Sequence, residues 1–185
     1  MKLETRNSKL ETDDVDRRAR RIKLLLMDCD GVLTDGRLEL LENGDEQKTF
    51  HAHDGQGISL FQQAGLKTGI ISGRTSSAVE RRAQDLNMSY VRQNAKDKTK
   101  ALEEIMAEAQ VSLHECAYIG DDLADIPVMH QVGLAFAVAD AVIETKQAAN
   151  FITEHNGGYG AVREVCDLIL KAQGRWEELM KRFVQ

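Results

Sequence analysis

The sequence has few cysteines, no long apolar run and no excess of positive charge, and each absence excludes a class of protein. The 185 residues include only three cysteines, at wide spacing in apolar neighbourhoods, which argues against a disulfide framework or a zinc site. No stretch reaches the roughly 18 apolar residues that a membrane-spanning helix needs. With 24 Lys and Arg against 30 Asp and Glu, the formal net charge is −6, which argues against a nucleic-acid partner.

Signals for targeting and for common nucleotide cofactors are missing as well. Residues 1–20 are charged throughout and lack the apolar core of a signal peptide, so we expect a solvated leader and a cytoplasmic protein. The P-loop pattern G-x-x-x-x-G-K-[ST] does not occur, and no G-x-G-x-x-G follows the first apolar run. ATP and NAD are therefore poor candidates as ligands.

Apolar runs alternate with amphipathic segments along the chain. Strands are predicted at 22–27, 67–72, 116–119 and 134–138. Helices are predicted at 57–64, 75–86, 99–109, 123–132, 141–148 and 161–172. This alternation predicts an α/β fold with a doubly wound parallel sheet. We place one domain at residues 21–172, with a β-hairpin flap at about 36–50, and a C-terminal tail at 173–185.

Acidic residues follow two of the predicted strands directly. Asp28 and Asp30 follow the first strand, and Asp121 and Asp122 follow the third. In a doubly wound sheet, ligands bind at the carboxyl ends of the strands, so these acids are expected to converge. Two carboxylates at about 4 Å repel by about 4 kcal/mol at an effective dielectric near 20, so a cation must compensate. Oxygen ligands favour Mg²⁺, and Lys98 can neutralise one of the acids.

Each of these segments has a simpler interpretation when it is taken alone. The Asp-x-Asp-Gly segment at 28–31 is compatible with a helix cap or an Asx turn, and acids at 121–125 are typical of a helix N-terminus. Ser72 precedes a predicted helix, where its hydroxyl and the nearby N–H groups can either cap the helix or hold a phosphate oxygen. The combination favours phosphoryl transfer, because it supplies an aspartate nucleophile, a hydroxyl, a lysine and a magnesium site.

This combination resembles the haloacid dehalogenase superfamily. Four motifs of the superfamily occur in order, as residues 28–36 (DCDGVLTDG), Ser72, Lys98 and the segment 120–125. The resemblance covers residues 22–170. It implies an α/β phosphatase that forms a phosphorylated aspartate, and the chain has room for no cap domain beyond the hairpin.

The resemblance assigns roles to five aspartates. Asp28 is expected to attack phosphorus, and Asp30 is expected to protonate the leaving alcohol and then deprotonate the hydrolytic water. Asp28, the Asp30 carbonyl and Asp121 are expected to hold Mg²⁺. Asp122 and Asp125 are expected to orient Lys98 or a metal-bound water.

The phosphate is expected to meet a second group of residues. By the same resemblance, Ser72 and Gly73 bind it, together with the lysine of the third motif. Lys98 fits the superfamily pattern best, although Lys96 and Lys100 lie close in sequence.

Several segments are similar to a narrower family, the phosphatases of 3-deoxy-D-manno-octulosonate 8-phosphate, an eight-carbon sugar acid used in lipopolysaccharide precursor synthesis. These segments are 28–36, 48–50, 54–58, 120–122 and 157–164. The family implies a sugar-acid phosphate as substrate and a homotetramer that covers the open site. Arg74 is expected to bind the sugar-acid carboxylate, because a guanidinium matches two carboxylate oxygens. Gly160 and Arg163 are further candidates for substrate binding.

Other interpretations remain open. A nine-carbon sialic-type sugar-acid phosphate is the nearest alternative substrate, and Arg74 favours the octulosonate over it. This chain departs from the family at His53, where relatives often have Arg. A noncatalytic sugar-acid binding or regulatory module is the alternative of another class. A response-regulator receiver is disfavoured, because receivers place the paired acids before the phosphorylated aspartate.

Overall fold

The computed structural model describes residues 9–42 and 46–183. The strands in chain order are β1 (Leu24–Met27), β2 (Glu39–Leu40), β3 (Glu46–Gln47), β4 (Lys67–Ile71), β5 (Tyr90–Arg92), β6 (Cys116–Gly120), β7 (Leu134–Ala137) and β8 (Phe151–Ile152). The helices are α1 (Lys9–Ala19), α2 (Ala52–Gln63), α3 (Ser77–Asp85), α4 (Lys98–Ala109), α5 (Ile126–Met129), α6 (Ile143–Ala148), α7 (Ala161–Ala172) and α8 (Trp176–Met180). Among the described residues, no helix is long and apolar enough to cross a membrane.

Six strands form one parallel sheet in the order β5-β4-β1-β6-β7-β8, and β2 pairs with β3 in a separate antiparallel hairpin. The chain moves from β1 to β4 and β5 on one side, then crosses to β6 on the other. Right-handed crossovers therefore place α2 and α3 on one face of the sheet and α4, α5 and α6 on the opposite face. The predicted doubly wound α/β fold is confirmed.

The central strand β1 explains why the sheet forms where it does. All four of its side chains are fully buried, because helices cover both faces of a parallel sheet. Met27 is paired with Ile70 of β4 and with Ile119 of β6. The residues that follow these three strands therefore lie side by side, at the point where the strand order changes direction.

Some boundaries differ from the predictions. Strands β5 and β8 have only three and two residues, which is too short for the sequence pattern to predict them. Helix α2 begins at Ala52, ahead of the predicted start. The predicted helix at 123–132 is divided into a 3₁₀ turn at 123–125 and α5, where Pro127 in the first turn lacks the N–H of an ordinary helical residue. The hairpin predicted at about 36–50 has only two paired residues in each strand, and residues 43–45, between the two strands, lie outside the described residues.

Helix α7 ties the two ends of the described chain to the domain. It packs against α2 and also against α1 of the leader, where Val15 and Ala19 are buried. The ring of Trp176, in the tail, lies under Lys171 of α7, with 5.0 Å from Nζ to the ring centroid. Trp176 thus packs on α7 of its own chain.

Candidate active site

Three carboxylates meet at the carboxyl ends of β1 and β6. Asp28, Asp121 and Asp125 each offer an oxygen, and these oxygens lie within 4.8 Å of one another. Asp28 follows β1, whereas Asp121 and Asp125 follow the neighbouring β6. We call these three residues the acid cluster. Asp28 and Asp121 lie close together, as the sequence predicts, because the strands that precede them are adjacent in the sheet.

Lys98 is the cation that bridges the acid cluster. Its Nζ lies 2.8 Å from Asp28 Oδ2 and 2.7 Å from Asp125 Oδ1. Burial lowers the pKa of Lys98, but the two carboxylates outweigh that effect and raise it overall. Lys96 and Lys100 are exposed, whereas Lys98 is buried. Of the three lysines considered from the sequence, Lys98 is the one that reaches the acids.

Asp125 is fully buried, and hydrogen bonds take up both of its carboxylate oxygens. Besides Lys98, its Oδ1 accepts a hydrogen bond of 2.6 Å from the hydroxyl of Tyr118. Its Oδ2 accepts from the backbone N–H groups of Asp121 and Asp122, at 3.0 and 3.2 Å. This arrangement supports the orienting role expected for Asp125. Tyr118 was not anticipated, because an apolar strand gives no sign of which hydroxyl it will bury.

Asp122 differs from the expectation, because the structure does not bring its carboxylate into the acid cluster. The residue is exposed, and its Oδ1 accepts from the backbone N–H of Leu123 at 2.7 Å. It thereby caps the short 3₁₀ turn after β6. The adjacent acids Asp121 and Asp122 follow the same strand but point to different surroundings.

Negative charge exceeds positive charge in the acid cluster. Burial, with Asp28 and Asp125 close by, raises the pKa of Asp121 to about 8. Burial and Asp125 likewise raise the pKa of Asp28 to about 6, although Lys98 opposes the shift. The Oδ1 atom of Asp121 is buried without a hydrogen-bond partner. An additional cation would relieve both the repulsion and the unpaired oxygen.

The donor set of the acid cluster fits a magnesium ion. Its atoms are carboxylate oxygens, and neither His nor Cys takes part. Gly31 makes room beside it: the backbone φ of Gly31 is +91°, and a Cβ at this position would lie 2.1 Å from Asp121 Oδ2. A glycine is therefore required where the first loop passes Asp121.

The loop after β4 carries the expected phosphate-binding residues. Ser72 is buried, donates its N–H to the carbonyl of Arg92 in β5 at 2.8 Å, and accepts from the N–H of Arg74 at its own Oγ at 3.3 Å. Gly73 is exposed, and a Cβ there would have only one neighbour within 4 Å, at 3.9 Å. This loop leaves an open approach beside the end of β1.

The hairpin reaches the same region through a chain of ion pairs. Lys48 Nζ lies 2.5 Å from Asp30 Oδ1 and 3.3 Å from Glu46 Oε2, and Glu46 also pairs with Arg74. Arg74, expected to meet a substrate carboxylate, thus binds a carboxylate of its own chain. Lys48 and Glu46 received no role from the sequence, although Lys48 lies in a segment that resembles the octulosonate phosphatases. Alternating charges are ordinary in a solvated pair of short strands, so the sequence of the hairpin does not predict the contact between Lys48 and Asp30.

Gly160 and Arg163 stand apart from the acid cluster. Gly160 has φ of +107° and begins α7, where its N–H donates to the buried Asp54. The Nε of Arg163 donates to Asp167 at 2.7 Å, within its own helix. Both residues line a separate cavity of about 410 Å³ that also includes His53, His155, Tyr159, Glu164, Asp167, Leu168 and Lys171. Within one chain, the structure does not join them to the acids.

Comparison with known proteins gives the family. A profile described as haloacid dehalogenase-like hydrolase matches residues 90–165. The chain is also 46% identical to the 3-deoxy-D-manno-octulosonate 8-phosphate phosphatase of Yersinia pestis over 165 residues, which are 89% of this chain and 88% of that protein. The chain belongs to the octulosonate phosphatase family. As the motifs predicted, this family lies in the haloacid dehalogenase superfamily, and the chain is a hydrolase of phosphoric monoesters.

Solved structures of the octulosonate phosphatase family have the same fold. A probable YrbI family phosphatase from Pseudomonas syringae pv. phaseolica 1448a is 46% identical, has a TM-score of 0.92, and matches over 94% of this chain and 98% of its own. The enzyme from Moraxella catarrhalis is 39% identical with a TM-score of 0.90, over 92% and 98% of the two chains. Its structure is described as a complex with a magnesium ion, a phosphate ion and a KDO molecule.

Proposed function

We propose that this chain is a magnesium-dependent phosphatase that hydrolyses 3-deoxy-D-manno-octulosonate 8-phosphate to the free sugar acid and phosphate. The observation that carries the proposal is Lys98 bridging Asp28 and Asp125, beside an Asp121 oxygen that has no partner. The substrate follows from the close similarity to relatives that act on this ester.

In the proposed reaction, Asp28 and Asp30 carry out two successive steps. An oxygen of Asp28 forms a bond to phosphorus while the bond from phosphorus to the sugar oxygen breaks, and Asp30 gives its proton to that oxygen. Water then attacks phosphorus, the bond to Asp28 breaks, and Asp30 takes the proton of the water. Lys98 stabilises negative charge on the phosphoryl oxygens, and Ser72 holds one of them by its hydroxyl.

A bound Mg²⁺ neutralises carboxylate and phosphate charge and positions the substrate. Asp28 and Asp121 would hold it through their carboxylates, and Asp30 through its carbonyl. Asp125 belongs behind this set, since Lys98, Tyr118 and two backbone N–H groups take up its oxygens.

Assembly and location form part of the proposal. The hairpin exposes Leu38, Leu40 and Leu41 at 50%, 72% and 45%, which supports a homotetramer in which neighbouring chains cover these side chains. Light scattering on the purified protein is expected to give four chains per particle, and a monomer would contradict this. The three cysteines are buried and free, in keeping with a reducing cytoplasm.

The decisive experiment measures phosphate release from a panel of sugar-acid and simple sugar phosphates, with Mg²⁺ and with EDTA, for the wild type and for Asp28→Asn. We expect selective, magnesium-dependent release from the octulosonate 8-phosphate. Asp28→Asn removes the nucleophile with little change in volume, so it should remain folded by circular dichroism but release no phosphate.

Other outcomes would change the proposal in defined ways. A preference for a nine-carbon sugar-acid phosphate keeps the mechanism and replaces the substrate. Wild-type rates in Asp28→Asn would remove Asp28 from the mechanism. An absence of release from every ester would favour a noncatalytic sugar-acid binding module.

A further inference from the structure

Lys48 of the hairpin is in an unusual position for a residue of a short surface flap. Only 2% of its side chain is exposed, although the hairpin strands around it are largely exposed. Its ammonium group lies between Asp30, at 2.5 Å, and Glu46, at 3.3 Å. Burial lowers the pKa of Lys48, but these two carboxylates outweigh it and raise the pKa overall.

We propose that Lys48 is a positioning residue for the reaction: it holds the Asp30 carboxylate in the orientation from which Asp30 exchanges protons with the leaving alcohol and with water. This inference rests on the proposed function, because it assigns to Asp30 the acid and base roles described above. Glu46 is the second anchor, since it holds the ammonium group of Lys48 from the hairpin side.

The need for such an anchor follows from the position of Asp30. Asp28 is fixed by the N–H of Cys29, which donates to its Oδ1 at 2.7 Å, and by Lys98. Among the described residues, Asp30 has a single side-chain partner, Lys48. Without Lys48, its carboxylate is free to rotate away from the reacting oxygen. General acid–base catalysis depends on hydrogen-bond reach, and it contributes about 10²- to 10⁴-fold.

A comparison of two esters with different leaving groups distinguishes a loss of Asp30 positioning from a nonspecific loss of activity. The sugar alkoxide needs a proton as it leaves, whereas p-nitrophenolate leaves without one. The hydrolysis of phosphorylated Asp28 needs a base with either ester. In Lys48→Met, the proposal therefore expects about 10- to 100-fold lower kcat on the octulosonate 8-phosphate, with a much smaller change in KM. On p-nitrophenyl phosphate it expects a rapid burst of one p-nitrophenolate per site, followed by slow turnover.

A double-mutant comparison tests whether Lys48 acts through Asp30. In an Asp30→Asn background, Lys48→Met should reduce kcat no further, because the group that it positions is already lost. An equal reduction in both backgrounds would overturn the proposal. So would wild-type kcat in Lys48→Met, or a loss on both esters without a burst.

Matched variants control for folding. Lys23 pairs with Glu115 at 2.6 Å just before β1, at the opposite end of the strand, so Lys23→Met removes a similar ion pair away from the site and should retain wild-type kcat. If Lys48→Met does not fold, Glu46→Gln provides a second route, because it loosens Lys48 and should give a weaker form of the same burst. Absence of a burst in a folded Glu46→Gln would then count against the proposal. Failure of the proposed function is distinguishable, since the wild type itself would then release no phosphate.

Discussion

Replacing Asp121 by asparagine should stabilise the protein in the absence of metal, even though it removes a residue of the active site. Asp121 lies within 4.8 Å of two other carboxylates and has a buried oxygen without a partner. Burial and these neighbours raise its pKa from 3.8 to about 8. Asparagine has nearly the same shape and no charge, so the variant avoids both ionisation and the uptake of a proton.

The gain in the free energy of unfolding that we expect from Asp121→Asn can be calculated in two ways. One pKa unit corresponds to about 1.4 kcal/mol, so the full shift of Asp121 is worth up to roughly 5 kcal/mol at pH 8. Coulomb repulsion between charges at 4.8 Å is about 3 to 4 kcal/mol at an effective dielectric near 20, and Lys98 offsets one of the two repulsions. Because Asp121 is partly exposed, we expect about 3 kcal/mol at pH 8.

The sign of the pH dependence follows from proton binding. Between pH 3.8 and pH 8, the folded wild type keeps a proton on Asp121 that the unfolded chain has lost, so its free energy of unfolding falls as the pH rises. The advantage of Asp121→Asn should therefore shrink to about 1 kcal/mol at pH 5. Added Mg²⁺ should narrow the difference at pH 8, because wild type gains about 2.7 kcal/mol at a hundredfold excess over Kd.

Urea denaturation of both proteins, in EDTA and in Mg²⁺, at pH 5 and pH 8, measures all these quantities. Asp122→Asn is the matched control, because Asp122 is exposed and asparagine retains an acceptor for the capping bond to Leu123. The control should be within about 0.5 kcal/mol of wild type in every condition. If Asp121→Asn were less stable than wild type in EDTA at pH 8, the account of an acid cluster whose negative charge exceeds the single positive charge of Lys98 would be wrong.

Two further predictions concern the lysine and the first loop. Lys98→Ala should lower the rate of phosphate release by about 10²-fold or more and reduce stability, since it leaves two acids without their cation. Lys96→Ala and Lys100→Ala should retain most of the activity. Equal losses of kcat in all three variants, measured by steady-state kinetics, would undermine the choice of Lys98. Gly31→Ala should weaken the Mg²⁺-dependent rise in melting temperature, because its Cβ would collide with the acid cluster; Gly65→Ala, also at positive φ but with nothing within 4 Å, should leave that rise unchanged.

The sequence was sufficient to predict those parts of the fold that depend on long or strongly patterned segments. The buried strands β1, β4, β6 and β7 are continuous apolar runs, and α7 has a strongly one-sided apolar face. The early start of α2 could not be predicted, because it depends on a tertiary contact. Asp54 of α2 is buried, and it accepts the N–H groups of Gly160 and Arg163 at the start of α7. An acid in a polar run gives no sign of a partner more than a hundred residues away.

The same distinction, between what a local sequence pattern decides and what a tertiary contact decides, applies to the candidate site. Convergence of Asp28, Asp121 and Lys98 was predictable, because strand order and the carboxyl-end rule place backbone positions next to one another. The direction of each side chain was not, since it is decided by local hydrogen bonds. Asp122 caps its own turn and Arg163 pairs within its own helix, although both carry the residue type that the chemistry needs.

In the proposed mechanism, ion pairs of the hairpin connect the residue expected to bind the substrate carboxylate with the acid of the reaction. Arg74 is expected to recognise a sugar-acid carboxylate, yet it pairs with Glu46, which also holds Lys48. A substrate carboxylate that binds Arg74 competes with Glu46 and leaves Glu46 to Lys48 alone. Lys48 in turn contacts Asp30. Three ion pairs, through Glu46 and Lys48, thus connect Arg74 with Asp30. Glu46→Gln removes the carboxylate that competes for Arg74. It should therefore raise kcat/KM for the octulosonate 8-phosphate relative to kcat/KM for a simple sugar phosphate, which has an alkoxide leaving group as well but no carboxylate; equal changes for the two esters would exclude this coupling.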